Sequence, residues 1–401
     1  MNGRFKILAS AVVTAIAAAS TAAEEIPVTA LPEASERIGR TEVRARPHFV
    51  WDVGFEFRFD NREYGDGDFA PSMTVLGARL TPSVGLQLSS PGNSRHRLMV
   101  GIDVMKDFGS DARTEDLFRE LTLYYEWKKG FGRTDMTLTA GIFPRSEMQG
   151  AYSTAFFSDY VRFYDPNLEG LILKFRRPSA YYELGCDWMG QYGDTRRERF
   201  MIFAGGEAAL ADRLLLLGYT GYMYHYAGSR EVWGVVDNIL LNPYIGLDLA
   251  EKTGLQTLHF QLGWLQSMQN DRRNIGRYTF PSGGEFLVRL GNWNVSVENR
   301  LFYGRDMMPY YDSADAAGHV YADGLYFGDP FYHLGRGGTD MGLYDRLEIC
   351  YGPRIADFLR LQVSAVMHFH SSGFSGWQQI VSLVFDLPDR KSSRRLRPQA
   401  D

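Results

Sequence analysis

Charged and imidazole side chains recur at every second position of otherwise apolar segments. Asp52, Glu56, Arg58 and Asp60 alternate with Trp51, Val53, Phe55, Phe57 and Phe59. The same parity sets Asp103, Lys174, Glu183, Asp187, His259, Glu285, Arg289, Glu298, Arg300, Arg346, Glu348, Arg360, Gln362, His368 and His370 opposite apolar stripes. Successive strand residues point to opposite faces, so these groups share one side of their strands. Both signs are present, and Glu285/Arg289, Glu298/Arg300 and Arg346/Glu348 fall on successive strands. Such rows can neutralise one another as a cross-strand ladder. Alternatively they set a transverse field that orients a polar solute in a pore. A second chemistry lies in two aromatic loops. Residues 144–169 hold Tyr160, Phe163 and Tyr164 beside Asp159 and Asp165, and residues 304–340 hold Tyr326 and Tyr332 beside Asp329. Flat rings next to carboxylates suit a sugar or another polar ring compound. Loops this apolar are expected to fold back onto the body of the protein as a constriction. A third chemistry is a base and nucleophile, His370 and Ser372, which could attack an ester if another group oriented the imidazole.

The elements that position these groups are strands. Phe49 opens a strict alternation of about ten residues, the length at which a tilted strand crosses a bilayer. It recurs at Val84–Leu88, Leu98–Val104, Leu121–Trp127, Met136–Ile142, Leu171–Phe175, Tyr182–Trp188, Leu258–Trp264, Phe286–Leu290, Trp293–Leu301, Leu347–Tyr351, Leu359–Phe369 and Val381–Leu387. Strands near 198–207 and 214–227 have weaker parity, and one near Tyr244–Leu249 is short. The count is about sixteen. Tight links such as SPGNSR, KKGFGR, RRPS, AALADR, AEKTG, GN and GPRIAD alternate with longer ones at 61–71, 108–119, 144–169, 227–241, 267–283 and 304–340. Two links on the long side, 190–197 and 371–375, are short. This spacing predicts an all-β, transmembrane, antiparallel up-and-down barrel with short periplasmic turns and long extracellular loops. Trp51, Tyr125, Trp127, Tyr182, Trp188, Trp264, Trp293, Tyr351 and Phe369 stand near the ends of apolar stripes. Amphipathic rings there form the girdles of a bilayer protein, and on a soluble sandwich they would promote aggregation.

Composition narrows the rest. The chain has 401 residues with 43 Lys+Arg against 48 Asp+Glu, a formal charge of −5, and no basic tract. This argues against nucleic acid as a partner. Arg4 and Lys6, the apolar run Ile7–Ala19 and small residues to Ala23 read as a secretory signal at 1–23. Residues 24–48 read as a periplasmic segment, 49–387 as the barrel, and 388–401 as a basic periplasmic tail. Cys186 and Cys350 fall on opposite faces of distant strands and are expected to be unpaired. The loop aspartates lack the ligand spacing of a calcium loop, so no metal is expected.

The segments FFSDYVRFYDPNLEG (156–170), VVDNILLNPYIG (235–246), LYFGDPFY (325–332) and GWQQ (376–379) resemble porin-like outer-membrane β-barrel proteins of Bacteroidetes-type Gram-negative bacteria. The resemblance covers residues 49–387 and implies location and fold. His368-Phe-His-Ser-Ser-Gly373 is similar to the H-x-S-N-G segment of outer-membrane phospholipase A, with Gly373 where that family has Asn. That family's pair faces lipid, whereas the parity of His370 points it into the lumen. The sequence therefore leads to an exported channel for small polar solutes, lined by the mixed charges and narrowed by an infolded loop. No enzyme activity and no cofactor are expected; the partners are the lipid bilayer and small solutes, and a homo-oligomer is compatible with the layout. The alternatives are a lipid hydrolase working through His370 and Ser372, or a plugged barrel with an adhesion or assembly role.

Overall fold

The computed structural model describes residues 47–65, 71–90, 93–334 and 341–388. The expected signal 1–23, most of the segment 24–48 and the basic tail from 389 lie outside the described residues. Alternating apolar side chains need lipid on one face and protein on the other, and a closed sheet supplies both without exposing an edge. The strands are β1 (His48–Tyr64), β2 (Met73–Ser90), β3 (Ser94–Asp107), β4 (Phe118–Phe131), β5 (Thr134–Pro144), β6 (Asn167–Arg177), β7 (Ala180–Gly190), β8 (Arg199–Leu210), β9 (Leu215–Tyr226), β10 (Val236–Asp248), β11 (Thr257–Asp271), β12 (Ser282–Asn292), β13 (Val295–Arg305), β14 (Met341–Tyr351), β15 (Arg354–Ala356), β16 (Leu359–His370) and β17 (Gly373–Pro388). All seventeen belong to one sheet, and its pairings are antiparallel throughout. The three-residue β15 only pads the turn between β14 and β16, which pair directly, so sixteen strands form the wall. Closure runs from Asp52 opposite Pro388 to Tyr64 opposite Gly376.

The outward parity is the apolar one. Leu86, Leu98, Leu123, Ile245, Leu262, Ile349 and Val363 stand exposed on the outer surface. The turns at one end are short. The β12–β13 link is Trp293–Asn294, both left-handed at φ 49° and 65°, as a two-residue hairpin requires. The sequence reading put Gly291–Asn292 in that turn; these residues instead close β12. Two strands are longer than expected. Val236–Leu241 opens β10 and Ser267–Asp271 closes β11, because Val236, Asn238 and Leu240 alternate into the interior and pair against β11.

The core lies inside the barrel. Phe143, Leu168, Ile172, Met201, Phe203, Tyr222, Tyr224, Leu240, Leu265, Phe302 and Tyr344 reach in from β5–β14. Tyr152, Phe156 and Phe157 of the β5–β6 loop, and Met307, Tyr310, Tyr321, Leu325, Phe331 and Tyr332 of the β13–β14 loop, pack against them. Helix α1 (Asp159–Tyr164) sits in the first of these loops, with the Ser158 hydroxyl accepting from the Val161 N–H. Both aromatic loops therefore fold inward, as their composition demands. Over β5–β14 the interior is an aromatic core, since the loops carry enough apolar area to fill it.

Candidate functional site

The inward charges are paired and used mainly to hold the loops. Arg300 donates to Glu285 at 2.8 Å and to Glu298 at 3.0 Å, and Arg289 donates to Glu298 at 2.6 Å. Glu285 also accepts from Ser153 Oγ at 2.9 Å and Tyr332 Oη at 2.6 Å, one group from each loop. Arg346 donates to Glu348 at 2.9 Å and to Asp159 of α1 at 2.9 Å. Glu183 accepts the backbone N–H groups of Gln149 and Gly150, Lys174 donates to Glu147, and Asp187 pairs with Arg145 at 3.2 Å. Asp103 pairs with Arg79, and Arg58 lies over the Phe163 ring at 5.1 Å. His368 is stacked on Phe331 at 4.0 Å and meets Tyr344 Oη through Nδ1 at 3.0 Å. His259 stays near Gln261 on the wall.

Among the loop residues, the Tyr160 and Tyr164 rings pack at 4.4 Å in a tilted arrangement, Tyr164 Oη donates to Asp107, and Asp165 pairs with Arg145. Tyr326 Oη donates to Gln269, and Tyr344 Oη donates to Asp329. Burial raises the Asp329 carboxyl to about 6 against the nearby Arg346 charge. His333 bridges Asp306 at 2.9 Å and Asp312 at 3.2 Å. Burial alone would lower its pKa, but the Asp306 hydrogen bond and both carboxylate charges leave it raised.

A cavity of about 710 Å³ remains on the β1–β4 and β16–β17 side. Asp52, Glu56, Arg79, Arg97, Arg145, Glu147, Arg162, Arg360 and Asp386 are among the residues that border it. Among the described residues, Arg79 Nε, Arg97 Nε and Arg145 Nη1 are buried without a protein hydrogen-bond partner.

The pair of His370 and Ser372, raised as an alternative, does not form. Ser372 is exposed in the turn, while His370 is buried between Ser375 Oγ at 2.8 Å and the Phe331 carbonyl at 2.9 Å. Its inward parity gives the imidazole a core environment, remote from any lipid ester.

A different polar cluster occupies the lipid-facing surface at the long-loop end. His225 of β9 lies opposite Asp237 of β10, and Asp237 lies opposite Asn270 of β11. Tyr224, Tyr226 and Val236 turn inward, so His225 and Asp237 turn outward. Asp237 accepts from Arg272 Nε at 2.7 Å, Arg272 Nη2 at 2.8 Å and Tyr278 Oη at 2.9 Å. His225 stacks on Phe200 at 4.8 Å, and Phe200 stacks on Trp188 at 5.4 Å. Among the described residues neither ring nitrogen of His225 has a hydrogen-bond partner. A groove of about 450 Å³ beside the cluster is lined by Trp233, Gly234, Val235, Arg272 and Arg273. This brings an imidazole, a fixed carboxylate and two guanidinium groups together on the outer face at the long-loop end. Sequence reasoning missed it because 236–241 was assigned to a loop. The signal was a histidine on the apolar parity of β9.

Comparison with known proteins decides the family. The lipid A 3'-O-deacylase-type family matches residues 53–322. The chain belongs to this family. The expectation of no enzyme activity is thereby overturned, since the family is named for a deacylase. The match ends before His370 and Ser372 and contains His225, Asp237, Arg272 and Tyr278. No protein of curated function matches the chain. The fold is similar to a loop-deletion form of OmpT, an outer membrane protein of Vibrio cholerae, at TM-score 0.53 and 8% identity, covering 85% of this chain and 99% of that one. It is also similar to OccAB4 of Acinetobacter baumannii, at TM-score 0.44 and 10% identity over 86% of this chain and 99% of that one. OprD of Pseudomonas aeruginosa gives TM-score 0.44 and 11% identity over 85% and 94%. At these identities the likeness concerns the barrel fold.

Proposed function

We propose that this barrel hydrolyses an acyl ester of an outer-leaflet lipid, lipid A being the class its family name points to, at the outward His225–Asp237 cluster. The observation that carries this reading is an imidazole beside a carboxylate held by Arg272 and Tyr278 on the lipid-facing rim, inside the family match. His225 takes a proton from a water whose oxygen attacks the ester carbonyl carbon. Asp237 stabilises the imidazolium, which returns the proton to the departing sugar oxygen as the ester bond breaks. Arg272 and Arg273 give the phosphates of the lipid a cationic seat, and Trp233 offers an exposed ring at the interface. The test is deacylation of lipid A in mixed micelles by the purified protein, followed by mass spectrometry. His225→Ala is expected to slow release by about 100-fold or more. Equal rates in the variant would refute the assignment.

A second reading, passage of small polar solutes through the lumen, is supported by the cavity bordered by Asp52, Glu56, Arg97, Arg145 and Arg360. It requires the infolded loops to leave or open an axial path, which single-channel conductance measures.

A further inference from the structure

The opposite rim of the outer surface carries another arrangement of reactive groups. β3 opens with Ser94, and His96 follows two residues later on the same outward face. Trp127 of β4 lies opposite His96, and Tyr125 lies opposite Leu98. Ser94 Oγ is 3.1 Å from His96 Nε2, His96 Nδ1 is 2.7 Å from Tyr125 Oη, and Trp127 Nε1 donates to Ser94 Oγ at 2.8 Å. The imidazole is stacked on the Trp127 indole with ring centroids 6.2 Å apart.

This geometry sets the proton positions. The indole N–H occupies a lone pair of the Ser94 oxygen, so the hydroxyl's own proton is free to point at Nε2. The Tyr125 oxygen is a natural acceptor for Nδ1–H, which makes Nε2 the basic nitrogen. A nucleophile, a base and an orienting group are thus in contact on a surface that faces lipid. An interfacial aromatic girdle accounts for Tyr125 and Trp127, but not for an imidazole bridging a hydroxyl and a phenol. Lys129, opposite Ser94, adds an outward cation 5.0 Å from the Phe131 ring. Leu88 lies beside His96, and Leu86, Leu98, Val84 and Val100 continue the exposed apolar face away from the site toward the middle of the membrane. A phosphate at Lys129 and acyl chains along these leucines would put a glycerol ester beside Ser94.

We propose that Ser94 and His96 form a second ester-cleaving site, at the short-turn rim, whose substrate is a glycerophospholipid. It does not depend on the His225 reading, because the two sites lie at opposite ends of the barrel. Ser94 Oγ bonds to the ester carbonyl carbon as its proton passes to His96 Nε2. The bond to the glycerol oxygen breaks, that oxygen takes the proton, and a lysophospholipid departs. A water deprotonated by His96 then attacks the acyl-serine, releasing the fatty acid and restoring Ser94. Tyr125 and Trp127 are positioning residues.

The experiment uses the full chain folded in detergent with a fluorophosphonate probe and, separately, phosphatidylethanolamine mixed micelles. The expected result is a covalent adduct on Ser94 and fatty-acid release. Both are lost in Ser94→Ala, slowed about 100-fold or more in His96→Ala, and retained in His225→Ala. Tyr125→Phe lowers kcat and leaves KM unchanged, because the imidazole loses the acceptor that orients it. A heat-shifted gel mobility reports that each variant is folded. Folded wild-type protein without an adduct at Ser94, or release unchanged in Ser94→Ala, overturns the proposal.

Discussion

Glu285 ties both infolded loops to the wall, so replacing it should free both at once. Its carboxylate is 1% exposed and accepts from Arg300, Ser153 and Tyr332. Removing one partner of a buried, hydrogen-bonded ion pair costs roughly 3–5 kcal/mol. Arg300 keeps Glu298 in Glu285→Ala, which places the loss near the lower end, about 3 kcal/mol. At about 1.4 kcal/mol per factor of ten, the docked-to-undocked ratio of the loops falls roughly a hundredfold. Glu298→Ala is the control: that carboxylate holds Arg289 and Arg300 on the wall and accepts no hydrogen bond from either loop among the described residues. The assay is limited proteolysis within 144–169 and 304–340, alongside single-channel conductance. Faster cleavage of both loops and larger conductance are expected in Glu285→Ala alone. Equal protection of the loops in the two variants would refute the view that Glu285 is their shared anchor.

Two further outcomes follow from the interior. Asp329 is raised to about 6 by burial, and His333 is raised above 6.5 despite burial through Asp306 and Asp312. Both folded-state values exceed the unfolded ones, so their contribution to docking of the 306–340 loop is fullest in acid. It fades as pH rises through about 6 for Asp329 and above 6.5 for His333. Protease cleavage of this loop should therefore be faster at about pH 8 than at about pH 5, and equal rates would contradict the assignment. Cys186 lies on the apolar outer parity and Cys350 on the inner one, and both are free. A charged, water-soluble thiol reagent should modify Cys350 and spare Cys186. The reverse labelling would reverse the faces.

Barrel and strand parity were legible because period-two alternation is a local signal, readable from one strand at a time. Glu285, Arg300 and Arg346 were found for the same reason: inward parity alone selects them. What the sequence concealed is which inward groups meet water. That depends on two loops far apart in the chain converging on one carboxylate, and no local pattern encodes it. The His225–Asp237 cluster was hidden differently. Asp237 opens β10 immediately after a loop, and a carboxylate at a strand start looks like loop polarity. Its partners Arg272 and Tyr278 come from another loop altogether. His370 drew notice through the neighbouring Ser372, yet a residue at the turn projects away from the inward imidazole.

Ester cleavage by the outward imidazole at the long-loop rim would leave its product in the outer membrane itself. The most direct test is the mass of lipid A extracted from outer membranes containing either the natural chain or His225→Ala at equal folded abundance. With His225 as the base, lipid A short of one acyl chain is expected with the natural protein and full-length lipid A with the variant. Identical acylation in both membranes would contradict it.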